Sequence, residues 1–455
     1  MADNVPTHLD RPYLRRRIQG PWILIVGFAL LILLGTFVLR LPWMSAGDKP
    51  VTWSDAFFTA ASAITVTGLT VRDTAQDFSF AGQIAILILL QIGGVGFITS
   101  SVILFRLIGR RVTLGTRFLV QQDVGTGQLS GVGRLATYVL IITVAFETVG
   151  AILLWVRWST VYPPGEALWY AIFQSISTYC NAGFDLFGAT DQGALYGFAG
   201  DWFSLLVLSL LVIAGGFGIA IYYDLIASWR TRMFSLNTRF SLTLAAGLIV
   251  GGLVFILLDP ILHSQVLSER TYAERFWMGL FTSISARTAG VTIVPIDRLG
   301  DATQLVLVML MFIGAAPASM AGGVSTSTIA VLLTAVSGTA RGREAAVFGR
   351  TLPVETVAKA VAISTVSLLV IMVVTLMLTL YYQTGLVELG FEVVSAYSNT
   401  GYSLGLTSDL DNFGRFVIAF TMFWGRLGPL TIVVALAQRE HPALIRYPEE
   451  PVILG

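Results

Sequence analysis

Four short runs in the sequence close on a glycine: Thr65-Val66-Thr67-Gly68, Cys180-Asn181-Ala182-Gly183, Arg287-Thr288-Ala289-Gly290 and Ser398-Asn399-Thr400-Gly401. Few of these side chains can serve as acid, base or nucleophile. What the runs offer is backbone. Glycine adopts conformations closed to other residues, so the carbonyls beside it can all turn one way. Rings of inward-turned carbonyl oxygens replace the hydration shell of a potassium ion. Thr65 and Thr67 add hydroxyl oxygens or brace the loop, and Asn181, Thr288, Asn399 and Thr400 are the small polar partners in the other runs. Enzyme chemistry has little to work with elsewhere. Cys180 is the single cysteine, so there is no disulfide framework or multi-cysteine metal site. His8, His263 and His441 lie far apart. No HExxH or nucleotide-binding P-loop motif occurs.

The four glycines recur at intervals of 115, 107 and 111 residues. Phe58, Phe173 and Phe391 each stand ten residues before their glycine, and Ser62, Ser177 and Ser395 six before. In the third copy Phe281 and Ser285 are each one residue closer. A fixed period implies an internal fourfold repeat, and repeats that share one orientation are related by an axis along the membrane normal. Four such loops meet at that axis. Non-helical backbone is tolerated at membrane depth only where protein buries it or where it lines a wet cavity.

The elements that must position these loops follow from composition. Of 455 residues, 55% are hydrophobic and 12% charged. Soluble proteins carry about 25% charged residues, so this is an all-α membrane protein. Eight apolar segments are long enough to span a bilayer, roughly 21–42, 82–105, 136–156, 203–223, 241–258, 303–333, 358–381 and 413–437. The sixth is interrupted, and the others read as continuous helices. Before each glycine run lies a shorter apolar stretch, about 54–64 in the first unit, which can dip in and return. "RPYLRRR" before the first span resembles a signal peptide, but the apolar run that follows is about 20 residues, the length of a span, against the 7–15 of a signal core.

Arg11 and Arg15–Arg17, the arginines of 106–134, Arg230, Arg232, Arg239, Arg341, Arg343, Arg350, Arg439 and Arg446 fall on one side of the spans. The opposite loops are richer in acid. Lysine- and arginine-rich loops stay cytoplasmic, which puts both termini inside. The resulting division is a cytoplasmic N-terminus over 1–20, units over 21–105, 106–226, 227–335 and 336–437, and a cytoplasmic tail over 438–455.

The interruption in the sixth span reads Gly314-Ala315-Ala316-Pro317-Ala318-Ser319-Met320-Ala321-Gly322-Gly323, within a segment of about 314–328. Pro317 removes a helix hydrogen bond. Two readings stay open: a kinked helix packed through small residues, or a loop that crosses the conduction path just inside the filter. Arg426, midway along the eighth span, either bonds that loop near 315–325 or snorkels to the cytoplasmic edge. Arg287 would repel a cation if it faced the ion, so it is expected behind the loop as a brace, with an acidic neighbour. Glu147 in the third span is expected to brace as well, and Cys180 to behave as a small buried hydrophobe.

The runs "SAITVTGL", "STYCNAGF", "SARTAGV" and "SAYSNTGY", with "LILLQIGGVGF", "GAAPASMAGG", "FWGRLGPLT" and "RYPEEPVILG", resemble the Trk/Ktr/HKT superfamily of potassium transporters, most closely the Ktr membrane subunit (KtrB). The resemblance covers nearly the whole chain. Trk subunits generally carry two more N-terminal spans, and here the first begins near residue 21. The resemblance implies several things. The chain would take up potassium across the bacterial cytoplasmic membrane, with sodium as a modulating or transported ion, and would not be an enzyme. A glycine in all four filters goes with potassium, and Gly68 fits. The interrupted sixth span would be an intramembrane gate. The subunit would form a homodimer on a cytosolic nucleotide-binding regulatory ring of the RCK/KTN type (KtrA-like), which binds ATP or ADP. The Arg-rich loops are the natural docking surface for that ring, and membrane orientation explains them equally. Its other partner is the lipid bilayer, with no nucleic acid and no covalent cofactor. The alternatives are a weakly selective potassium/sodium pathway and the ion-conducting subunit of an ATP-driven potassium pump, whose more numerous spans fit poorly.

Overall fold

The computed structural model describes residues 20–47, 50–96, 132–188, 194–218, 221–225, 234–262, 270–317, 319–320 and 322–428. Thirteen main helices carry the architecture. They are α1 (Gly20–Leu39), α2 (Trp53–Thr65), α3 (Phe80–Val95), α4 (Val132–Trp158), α5 (Pro164–Tyr179), α6 (Trp202–Gly216), α7 (Leu236–Leu262), α8 (Tyr272–Ser285), α9 (Asp301–Phe312), α10 (Thr326–Ala340), α11 (Val354–Tyr382), α12 (Leu386–Ser398) and α13 (Asn412–Leu427). A single helical turn, Leu406–Asp409, precedes α13. Among the described residues the helices are joined by one hairpin, of β1 (Ala346–Val347) and β2 (Arg350–Thr351), which turns at Phe348-Gly349 with both residues at positive φ.

Among the described residues three helices are long and apolar enough to cross a membrane: Thr137–Trp158, Leu236–Asp259 and Val354–Tyr382. These lie in α4, α7 and α11, and their outer faces carry exposed Val149, Val156, Val254, Leu368, Met372 and Leu376. Such an apolar surface is compatible with lipid and not with water. α1, α3, α6, α9 and α10 contribute shorter apolar helices.

The short helices α2, α5, α8 and α12 carry the loops, and sequence signals fix where several of them begin and end. Thr52 and Asp55 form a reciprocal capping box at the start of α2, and Thr271 and Glu274 do the same for α8. Each box satisfies donors that a helix N-terminus otherwise leaves orphaned. α2 and α12 end on Val66 and Asn399 in the left-handed region. Asparagine accepts that conformation readily, whereas a β-branched valine does so only under constraint. The C-terminal halves of all four short helices are buried.

Their packing runs in one direction around a ring. α2 packs against α1 and α3, α5 against α4 and α6, α8 against α7, and α12 against α11 and α13. In addition α3 reaches α5, α6 reaches α8, α9 reaches α12, and α13 reaches α2, which closes the circuit. Glycines allow the close approach inside three of these units. A side chain at Gly93, Gly215 or Gly425 would sit within 2.1, 1.8 or 1.8 Å of the carbonyl oxygens of Ile64, Tyr179 and Tyr397 respectively.

Three spans expected to be continuous need correction. α6 does not run unbroken to residue 223. It stops at Gly216, with Phe217 extended, and helix resumes over 221–225. α3 and α13 likewise stop before Gly96 and Gly428, both at positive φ (89° and 79°). At these two glycines the physical reason is shared: a residue without Cβ ends a helix at positive φ without steric penalty. The remainders of the expected second and eighth spans, the tail, and the arginines of 11–17, 106–117, 230–232, 439 and 446 lie outside the described residues.

Candidate ion-conduction site

The four glycine-closed loops meet. A Cβ added to Gly68 would lie 2.5 Å from the carbonyl oxygen of Ala182, and one on Gly183 would lie 2.7 Å from that of Ala289. One on Gly290 would lie 1.9 Å from that of Thr400, and one on Gly401 2.2 Å from that of Thr67. The circuit returns to its start. Each glycine thus faces the carbonyl that precedes the glycine of the next loop, and four carbonyls share one narrow ring. All four glycines have positive φ, at 87°, 71°, 59° and 99°. No other residue type combines that backbone with so little space.

The serines at the recurring spacing hold the loops in this shape. Ser62 Oγ accepts from Gly68 N–H at 3.1 Å, and Ser395 Oγ accepts from Gly401 N–H at 3.0 Å. Ser177 and Ser285 instead donate to the carbonyl just past the glycine, Phe184 at 2.6 Å and Val291 at 2.9 Å. The missing residue in the third copy also has a structural counterpart. Val66, Asn181 and Asn399 have positive φ two residues before their glycine, whereas Thr288 does not. There the N–H groups of Thr288, Ala289 and Gly290 all converge on the Ser285 carbonyl.

Loop side chains brace and leave the backbone free. Thr65 pairs with Thr67 at 2.7 Å, and Ser398 with Thr400 at 2.8 Å. Asn399 Nδ2 donates to Thr67 Oγ1 and to the Met422 carbonyl, both at 2.9 Å, and Thr288 Oγ1 donates to Asn181 Oδ1 at 3.4 Å. Cys180 is buried against Gly94, with its thiol directed to Gln91 Oε1 at 3.6 Å and Glu147 Oε1 at 3.9 Å. Gln91 Nε2 in turn donates to Glu147 Oε2 at 3.2 Å. Glu147 therefore stands behind the second loop. Arg287 also points behind its loop, but to the Gly314 carbonyl at 3.2 Å and not to an acid as the sequence suggested.

The interruption of the sixth expected span covers 313–325, since residues 326–328 already belong to α10. It leaves and returns at one neck, where Ile313 pairs with Val324 and Gly314 N–H donates to the Val324 carbonyl at 3.0 Å. Between these points it reaches two other units. Ala316 N–H and Met320 N–H donate to the carbonyls of Gly216 and Gly215 at the end of α6, at 3.3 and 3.4 Å. Gly322 lies against Ser398 and Asn399. Arg426 Nη1 donates to the Met320 carbonyl, and its Nη2 donates to the Gly93 carbonyl at 2.5 Å. The segment thus lies against the C-terminal ends of α6 and α12, directly behind the glycine ring. Pro317 and Ser319 belong to it, and Ala318 and Ala321 lie outside the described residues.

Glu392 and Asp55 are buried acids whose partners the sequence did not reveal. Glu392 in α12 accepts from Ser403 Oγ, from Leu404 N–H at 3.1 Å and from Thr407 Oγ1 at 2.6 Å, and so fixes the chain leaving the fourth loop. Its one signal is an acid in the middle of the apolar run that leads to the fourth loop, "LGFEVVSAYS". Asp55 joins Arg72, just past the first loop, at 2.9 Å and Arg415 of α13 at 2.6 Å. This triad lines a cavity of about 790 Å³. Burial raises the Asp55 carboxyl, but the Thr52 hydroxyl, Arg72 and the Thr52 N–H hold it down, and the balance is a lowered value. A lowered folded-state value contributes stability above the ordinary 3.8 and loses it as pH falls below. Asp55→Asn is therefore expected to cost about 1.5–3 kcal/mol at pH 7, the range for a hydrogen bond to a charged group, read as a lower melting temperature in detergent. The difference from the parent chain should narrow as pH falls below about 4, and an unchanged gap there would exclude the charge as its cause.

Known proteins match along almost the whole chain. The family described as "TrkH: Cation transport protein" matches residues 22–447. A potassium/sodium uptake protein, NtpJ of Enterococcus hirae, is 33% identical over 97% of this chain and 98% of its own. The Ktr system potassium uptake protein B of Bacillus subtilis is 34% identical over 96% of this chain and 97% of its own. Among solved structures, the potassium transporter TrkH from Vibrio parahaemolyticus superposes with a TM-score of 0.72 at 20% identity, covering 93% of this chain and 86% of that one. At that identity the likeness speaks for the fold.

Proposed function

Because the chain belongs to the TrkH cation transport family, and is a membrane transporter rather than an enzyme, we propose that it takes up potassium through the ring formed by its four loops. The observation that carries this reading is the closed circuit in which each glycine abuts the next loop's carbonyl. Carbonyls of Thr67, Ala182, Ala289 and Thr400 would take the place of ion-bound water. The four sets of helices act as repeats about the pore axis, with eight spans and both termini in the cytoplasm. The 313–325 segment is the gate, and Arg426 is its latch. A cytosolic nucleotide-binding partner governs the gate of a homodimer in the bacterial inner membrane. The name of the Ktr relative, a component of a system, supports such a partner.

A second reading has support of its own. One relative is named a potassium/sodium uptake protein. The four loops here differ in side chains and in how serine holds them, so the ring departs from fourfold symmetry. Sodium passage alongside potassium is compatible with that departure.

Rubidium uptake into liposomes holding the full chain, with sodium as competitor, separates the two. Selective uptake is expected, with sodium competing poorly. Gly68→Ser places a Cβ against Ala182 and Gly183 and should lower the potassium-to-sodium preference by about tenfold, one differential contact of about 1.4 kcal/mol. Uptake with an unchanged preference would dismiss the ring as the filter.

A further inference from the structure

Two guanidinium groups, one buried and one half-buried, grip the backbone of the 313–325 segment, and the gate reading above uses only the half-buried one, Arg426. The other belongs to Arg287, three residues before Gly290. The structure assigns Arg287 a coupling role, as a strut between the third filter loop and the neck of the intramembrane segment, so that filter and gate change together. This inference rests on the proposed roles of those two elements.

Arg287 is 8% exposed, and among the described residues no carboxylate pairs with it. Burying a charge without a counter-ion is costly, and a position needed only for packing is better filled by an apolar chain of similar length. The guanidinium instead donates through Nη2 to the Gly314 carbonyl at 3.2 Å. Gly314 is the hinge point of the neck. Its N–H is bound by the Val324 carbonyl, and its Cα lies so close to the Gly322 carbonyl that a Cβ would stand 2.0 Å from it. The peptide groups of Gly314 are thus held from two sides, by the returning chain and by the filter loop.

At its other end the strut meets the ring itself. Thr288 donates to Asn181 of the second loop, and the Ala289 carbonyl abuts Gly183. If the neck moves, the guanidinium either loses its acceptor at a buried site or draws the third loop with it. Room for a small displacement exists beside this joint: a cavity of about 40 Å³ lined by Arg287, Thr288, Ala315, Ala316, Ser241 and Gly216. Tightly packed joints of this kind switch between discrete arrangements and do not deform smoothly.

The test reads gate position as a function of filter occupancy in the full chain. Ala316→Cys, in a Cys180→Ser background, is placed in liposomes and exposed on the inner side to a membrane-impermeant thiol reagent. External potassium is varied, and rubidium uptake is followed in parallel. Potassium should change the modification rate by at least about fivefold, the lower end of ordinary coupling between sites. Adding Arg287→Gln should flatten that dependence to less than about twofold, below the same range. Arg287→Lys, which keeps the charge without the planar fork, should retain a reduced dependence. A purely structural brace would alter stability and leave the potassium dependence intact. An Arg287→Gln chain as potassium-responsive as its parent, or a parent with no response, overturns the strut alone if uptake remains selective. Absence of any rubidium uptake overturns the transport reading beneath it.

Discussion

Gly290→Ala is expected to reduce rubidium uptake by about 100-fold or more, the scale of loss that misplacing a reacting group by about 1 Å produces. The added methyl would lie 1.9 Å from the Thr400 carbonyl oxygen and 2.8 Å from Gly401 Cα. Both neighbours are backbone, so no side-chain rotation relieves the overlap. Either loop must retreat, and the ring widens or one carbonyl leaves it. The left-handed conformation at φ 59° adds a smaller penalty, about 1 kcal/mol for alanine against glycine. The same geometry ranks the four positions. Severity should follow Gly290, Gly401, Gly68 and Gly183, because the contacts lengthen from 1.9 through 2.2 and 2.5 to 2.7 Å. Initial uptake rates for the four alanine variants, at matched protein levels and with melting temperatures as a control for folding, test the order. Equal losses at all four, or the mildest loss at Gly290, would contradict the geometry.

Arg426→Ala acts in the opposite direction and should raise uptake in the absence of any activating partner by about 10- to 100-fold. Its two donors hold the Met320 carbonyl in the segment and the Gly93 carbonyl in α3. A hydrogen bond to a charged group contributes about 1.5–3 kcal/mol, and each 1.4 kcal/mol shifts an equilibrium about tenfold. The variant also removes a positive charge from behind the ring, which lowers the electrostatic barrier to a cation. Arg426→Lys preserves the charge but not the fork that spans two acceptors, so it should fall between the two. Flux through Arg426→Ala at or below that of the parent would mean the contact does not hold a closed state.

The short helices and the ring were legible because their signals are local and repeated. Four phenylalanines, four serines and four glycines mark equivalent positions, and the serines hold the loops. The helix stops at Gly96, Gly216 and Gly428 were not legible, since a glycine inside an apolar run reads as a packing residue as readily as a terminator. The acceptors of Arg287 and Arg426 were hidden for another reason. They are main-chain carbonyls, present at every residue, so sequence identifies the donor but not its target. Arg415 carries no motif at all, and its partner Asp55 is distant in the chain.

That distance has a consequence for how the molecule is made. Asp55 waits for Arg415 across 360 residues, and the Gly93 carbonyl waits for Arg426 across 333. At about 5–20 residues per second, translation separates such partners by some tens of seconds. The Asn399 contact to Thr67, spanning 332 residues, arrives over the same interval. The ribosome therefore delivers the piece that seals the circuit last, when α13 meets α2. Until then the contacts that close the circuit of helices are incomplete.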